Sequence, residues 1–240
     1  MLVEFSAPPA SGKSSIAKAL SEDGYKLFRR STHGAITGAG RASFYAKLLL
    51  SPAFVYAFVH RFFFFLSNYT GLSFRRKLIS AFIAAQTNVL KRRKSWYVRD
   101  QGYFQLGDWV PPNMKRNPAT LLKVLDDIGG MPNAVVFIDM PPLVVVEKLH
   151  RRGDFQKWEE KAKSLGFAGV LERLVDQKAL DSVRYELCDI ANIPYIIIKI
   201  NDREEIFDVK YHCPNSVSDS LNTQIHALVE SIKRHWRPFA

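Results

Sequence analysis

The run Ala7-Pro8-Pro9-Ala10-Ser11-Gly12-Lys13-Ser14 constrains the fold of this chain more than any other stretch. The short apolar segment before it, Leu2-Val3-Glu4-Phe5, reads as a buried strand. Ser15-Ile16-Ala17-Lys18-Ala19-Leu20 follows, with apolar residues at 16, 19 and 20 in helical spacing. Strand, small-residue loop, Gly-Lys-Ser and helix, in that order, make a phosphate-cradling loop. Backbone N–H groups across Ala10, Ser11, Gly12, Lys13, Ser14 and Ser15 are expected to converge on a polyphosphate. Lys13 adds a mobile positive charge for the outer phosphates, the Ser14 hydroxyl is a Mg²⁺ ligand, and Gly12 leaves room where a side chain would collide. Ala7 stands where such loops usually begin with glycine, which requires that the backbone there avoid positive φ.

The 240 residues fit one α/β domain with an insertion, and the hydrophobic content of 47% is ample for a core. A net charge of +11 favours anionic partners: nucleotides, phosphorylated metabolites, nucleic acid or an anionic membrane surface. The two cysteines, Cys188 and Cys213, form neither a metal quartet nor a disulfide framework, and six histidines show no paired ligand spacing. A reduced, cytoplasmic setting is the expectation, with no leader segment before the first strand.

Along the chain, Tyr25-Lys26-Leu27-Phe28 reads as a second strand running into Arg29-Arg30 and His33, and residues 34–41 read as a glycine-rich loop. In a doubly wound sheet ligands bind beyond the carboxyl ends of the strands. Arg29, Arg30 and His33 therefore face the acceptor side of the pocket, or else are solvated loop charges. Residues 44–66 are apolar on nearly every side, but Ser51, Pro52, His60 and Arg61 interrupt the run, which argues against a membrane span. A second apolar helix carries Leu78, Ile79, Phe82, Ile83, Gln86 and Leu90 on one face, flanked by Arg75-Arg76-Lys77 and Lys91-Arg92-Arg93-Lys94. Two readings of this helical pair, about 42–94, stay open: core or homodimer face, or a surface touching anionic lipid.

Ser95-Trp96-Tyr97-Val98 reads as the third strand, ending in Arg99-Asp100-Gln101-Gly102. Asp100 sits where a Mg²⁺-organising or proton-accepting carboxylate belongs, and an ordinary loop aspartate is the alternative. A helix is expected at about 118–128. Ala134-Val135-Val136-Phe137-Ile138 is a strand of the buried parallel type, and Asp139 at its end rivals Asp100 as metal organiser. The helix 143–152 ends in His150-Arg151-Arg152, opening a basic, lid-like segment at about 151–166. Arg151 and Arg152 there suit neutralisation of a transferring phosphoryl group. One amphipathic helix spans 168–191, Tyr195–Ile200 is the fifth strand, 201–220 reads as polar and irregular, and a last helix runs 218–236.

Strands alternating with helices imply a three-layer α/β/α fold around a five-stranded parallel sheet. With these motifs in place, the chain resembles the P-loop small-molecule kinases, especially the thymidylate kinase and deoxynucleoside kinase group. Four features carry the resemblance: 7–15, Arg99-Asp100-Gln101-Gly102, Phe137-Ile138-Asp139-Met140-Pro141-Pro142, and the arginines at the end of the next helix. The family usually has Asp-Arg or Glu-Arg at the second feature. Here Gln101 replaces that arginine, so the family's contact to substrate or phosphate is either missing or moved to Arg99. Arg29-Arg30 stands where the deoxynucleoside group keeps a carboxylate, leaving Asp100 as the base for an acceptor hydroxyl.

The expected activity is ATP·Mg²⁺-dependent phosphoryl transfer to a small hydroxyl- or phosphate-bearing acceptor. Lys13, Asp100, Arg151 and Arg152 would act in catalysis, and Ser14, Asp100 and Asp139 at Mg²⁺. Arg29, Arg30, His33 and Arg99 would face the acceptor. A kinase for a lipid-linked or polysaccharide-related acceptor at the membrane surface is the alternative, and a nucleotide-binding regulator without acceptor phosphorylation is another. Nucleic-acid binding is disfavoured, because no known RNA-binding motif accompanies the charge.

Overall fold

A computed structural model describes residues 1–28, 51–68, 74–90, 96–99, 117, 119, 121–122, 131–162, 166–214 and 218–236. Arg29, Arg30, His33, Asp100 and Gln101, the glycine-rich loop, the 91–94 basic cluster and most of the helix expected at 118–128 lie outside those residues.

Six strands form one sheet in the order β2-β3-β1-β4-β5-β6. They are β1 (Leu2–Ser6), β2 (Lys26–Phe28), β3 (Tyr97–Arg99), β4 (Ala134–Asp139), β5 (Tyr195–Ile200) and β6 (Ile206–His212). The first five are parallel, as expected. The sixth corrects the reading of 201–220 as irregular: β6 pairs antiparallel with β5, Ile198 opposite Val209 and Ile196 opposite Tyr211. Its alternation is the edge-strand pattern, with Val209 and Tyr211 on the core and Lys210 and His212 exposed. A bulge between Lys199 and Ile200 accommodates Phe207, which faces water.

The helices among the described residues are α1 (Lys13–Glu22), α2 (Pro52–Asn68), α3 (Phe74–Leu90), α4 (Pro142–Arg151), α5 (Phe155–Ala162), α6 (Gly166–Ala179), α7 (Asp181–Ile190) and α8 (Asp219–His235). The interruption read at Ser51-Pro52 is the start of α2: the Ser51 carbonyl accepts from the Phe54 and Val55 amides, and proline suits a first helical position. The single helix expected at 168–191 is two, because the chain turns at Leu180 and Asp181 opens a new helix with a carboxylate in its first turn.

Strand alternation sends Val3, Phe5, Val98, Val136, Ile138, Ile196 and Ile198 to one side, against α1, α4, α6 and α8. Val135, Phe137 and Tyr195 point the other way, toward α2, α3 and α7. Phe54, Phe58 and Phe62 line the inner side of α2, with Phe54 edge-on to Phe82 of α3 at 5.4 Å. No helix among the described residues is long and apolar enough to cross a membrane.

Candidate active site

Because β1, β3, β4 and β5 run parallel, their carboxyl ends share one edge of the sheet. β1 lies between β3 and β4 in that edge, so the loop leaving Ser6 is flanked by Arg99 and Asp139, the last residues of the two neighbours. Residues 7–12 turn there into α1. Ala7 has no positive φ, which meets the condition set by its missing glycine; the left-handed positions are Ala10 (φ 55°) and Gly12 (φ 82°). Alanine in that region costs roughly 1–2 kcal/mol, so the loop holds a conformation its sequence does not favour locally.

Gly12 caps α1 with its carbonyl, which accepts from the Ser15 and Ile16 amides at 2.9 and 3.0 Å, and no side chain caps the helix. The first-turn N–H groups of a helix have no intrahelical acceptor and carry its positive dipole end, which makes this turn a donor set for an anion. Lys13 folds back over the loop: its Nζ donates to the Pro8 carbonyl at 3.2 Å and contacts that of Ala7 at 3.5 Å, and its side chain is buried. The Ser11 hydroxyl is fully buried and makes no hydrogen bond. Leaving a buried hydroxyl so costs about 1–3 kcal/mol, which an oxygen-rich ligand in the loop would offset. Ser14 is the second residue of α1 and Ser15, exposed, the third. A polyphosphate fits this loop.

Arg99 is buried at the tip of β3, and its Nη1 donates to the Thr87 Oγ1 of α3 at 2.7 Å. Glu4 is its register partner on β1 and is also buried, while Gln86 of α3 is buried with an amide nitrogen that makes no hydrogen bond. A buried polar cluster thus sits beneath the sheet edge. Thr87 was missed by sequence reasoning; the signal was the run Gln86-Thr87-Asn88 inside an apolar helix.

Asp139 is partly exposed at the end of β4, and Lys178 of α6 holds its Oδ1 at 2.7 Å. A metal at this carboxylate would compete with that ammonium. Asp181 beside it pairs with Arg184, yet burial pushes its carboxyl above the ordinary value. Burial, together with the carboxylates of Asp181 and Asp139, also pushes the Tyr185 hydroxyl up, with its ring edge-on to Phe137 at 4.9 Å. Among the described residues no three His, Cys, Asp or Glu side chains converge on a metal. Mg²⁺ held mainly through substrate phosphates needs only one or two protein oxygens.

Arg151 and Arg152 lie together at the end of α4, both exposed. Arg151 pairs with Glu204, in the turn that follows β5 on the same sheet edge. Glu204 itself is buried, has a φ of 63°, and accepts from Lys148 at 2.9 Å. Burial draws the Lys148 ammonium below its ordinary value, with Glu204 opposing. The Glu204 carbonyl accepts from Trp236 Nε1 at 2.8 Å. No sequence pattern marked Glu204 or Lys178 as partners. The thiols are unsuited to nucleophilic work: burial pushes Cys188 far up, with Asp189 and Glu4 adding to it, and raises Cys213.

No protein-family model matches the chain, and no curated protein sequence does. Among solved structures it is similar to a shikimate kinase from Acinetobacter baumannii in complex with shikimate, at 15% identity, covering 97% of this chain and 94% of that one, TM-score 0.40. It is similar also to a deoxyadenosine kinase from M. mycoides with bound dATP, at 12% identity over 97% and 99%, TM-score 0.44. A thymidylate kinase from Ehrlichia chaffeensis stands at 10% identity over 96% and 97%, TM-score 0.36.

Proposed function

We propose that this protein is a kinase that transfers the terminal phosphoryl group of ATP to a small hydroxyl- or phosphate-bearing acceptor. The observation that supports this most is the loop at 7–12, with left-handed turns at Ala10 and Gly12, opening a helix that has no side-chain cap, under a buried Lys13. Residues Ala10 to Ser15 hold the phosphates through backbone amides. Lys13 exchanges its contacts with the Ala7 and Pro8 carbonyls for phosphate oxygens, and so arrives already positioned. Bound Mg²⁺ would supply charge neutralisation between the outer phosphates, with the Ser14 hydroxyl as its protein ligand.

Asp100 follows the buried tip of β3, next to the loop in strand order, and is assigned to orient or deprotonate the acceptor hydroxyl. Asp139, on the other flank, contributes through water once Lys178 is accounted for. Arg99, aligned by Thr87, joins Arg29, Arg30 and His33 on the acceptor side. Arg151 and Arg152, close to the turn after β5, add positive charge to the transferring group. The pair α2–α3 covers the acceptor side of this edge as an apolar insertion between β2 and β3.

The test is Lys13→Ala. Phosphoryl transfer from ATP, followed with labelled terminal phosphate against a panel of hydroxyl and phosphate acceptors, should fall at least about a hundredfold, with an unchanged melting curve. Full activity in that variant would overturn the assignment. ATP consumption indifferent to every acceptor would favour a nucleotide-dependent regulator instead.

A further inference from the structure

The outer side of α2 is apolar and faces solvent: Val55, Tyr56, Val59 and Phe63 are 45, 75, 44 and 61% exposed. Their spacing puts them on one helical stripe. Phe74 at the head of α3, 64% exposed, meets Phe62 edge-on at 5.5 Å and extends the stripe. Scattered exposed apolar residues need no explanation, but three large aromatics aligned on one surface do.

Charge identifies the partner. Between Gly24 and Arg99 the chain contains no aspartate or glutamate, and it carries 14 of the 34 Lys and Arg residues. The remainder of the protein, 20 basic against 23 acidic residues, is slightly acidic, so the positive excess belongs to residues 24–99, the segment that carries α2 and α3, although Lys77 and Arg99 within it are buried and Arg29 and Arg30 are assigned to the acceptor. The first turn of α3 holds Arg75 and Arg76 with no acidic residue, at the helix end whose dipole is already positive, while Lys77 beside them is buried. Such placement is unfavourable by itself and becomes favourable beside an anionic surface.

We propose that this face docks the protein on an anionic lipid bilayer, with Tyr56, Phe63 and Phe74 entering the boundary between headgroups and acyl chains. Each α2 and α3 helix is 17 residues long, and neither meets the length and apolarity of a span, so the helices lie on the surface. A second copy of the chain would bring two positive segments together. Val55 and Val59 offer nothing to a phosphate backbone. The inference does not depend on the nucleotide reading.

Co-sedimentation of the full chain with phosphatidylglycerol vesicles and with phosphatidylcholine vesicles tests it. Binding to the first only, weakened by salt, is expected. The indole introduced by Tyr56→Trp should shift its emission to the blue on anionic vesicles. Tyr56→Ser with Phe63→Ser should lose about tenfold or more in partition at an unchanged melting temperature, since both side chains are exposed. Lys13→Ala should partition as the wild type, which separates failure here from failure of the kinase reading. Absence of binding at low salt, or equal binding by the double variant, overturns the proposal. So does a dimer that Tyr56→Ser and Phe63→Ser dissociate without altering partition, which would assign the face to a second copy. Oligonucleotide binding lost on those substitutions while vesicle binding persists would assign it to nucleic acid.

Discussion

The two faces of the sheet are built differently. Every residue that β1, β3, β4 and β5 present to α1, α4, α6 and α8 is apolar, from Val3 and Phe5 through Ile138 to Ile200. The face toward α2, α3 and α7 buries Glu4, Arg99, Gln86 and Thr87 together with its apolar side chains. Burying polar and charged groups is costly even when they are paired, whereas apolar area contributes about 25 cal/mol per Å². The first face therefore holds the fold together, and the second gives up some stability to keep polar groups next to the phosphate loop.

Three substitutions sharpen or break this contrast. Phe5→Ala opens a cavity in the apolar face and should destabilise by about 3–5 kcal/mol in chemical denaturation, while the molecules that remain folded keep their nucleotide affinity. If the affinity falls instead, the first face is part of the site. Thr87→Val removes the acceptor that aligns Arg99 and should cost about 1.5–3 kcal/mol, because the lost hydrogen bond involves a charged donor. Turnover should drop more than the melting temperature suggests, and a purely thermal effect would make this polar pair structural. The smallest effect is expected of Asp23→Asn, at the rim where α1 meets α8. The Ser231 hydroxyl, then His235, hold the Asp23 carboxyl below its ordinary range. That contribution is present above the ordinary aspartate value and is lost as pH falls through the lowered one. Melting temperatures of wild type and variant, slightly apart at neutral pH, should therefore converge in acid.

The apolar face was legible from sequence, because a buried parallel strand is a continuous apolar run and the small-residue loop stands between one such run and a helix. The loop's residues were readable for the same reason: their roles follow from the local turn. What escaped were features set by distant partners. The apolar strand before Asp139 suggests a metal organiser, but its engagement by Lys178 joins positions far apart in sequence. Arg99 was placed at the site, while Thr87, which aligns it, lies on a different element. The strand β6 escaped because its alternation is short and half polar, and what makes it a strand is the open edge of β5. The break at Leu180 escaped because apolar residues on both sides of it keep helical spacing.

Glu204 has a mechanical consequence. Its carboxylate grips the far end of α4 through Lys148 and Arg151, while its own carbonyl is fastened to the indole at the end of α8. A pull on Arg151 is therefore transmitted to the β5–β6 hairpin and on to the carboxyl-terminal helix, three parts of the chain tethered at one residue. Shortening that side chain by Glu204→Asp would slacken the grip on α4 and leave the backbone tie to Trp236 in place.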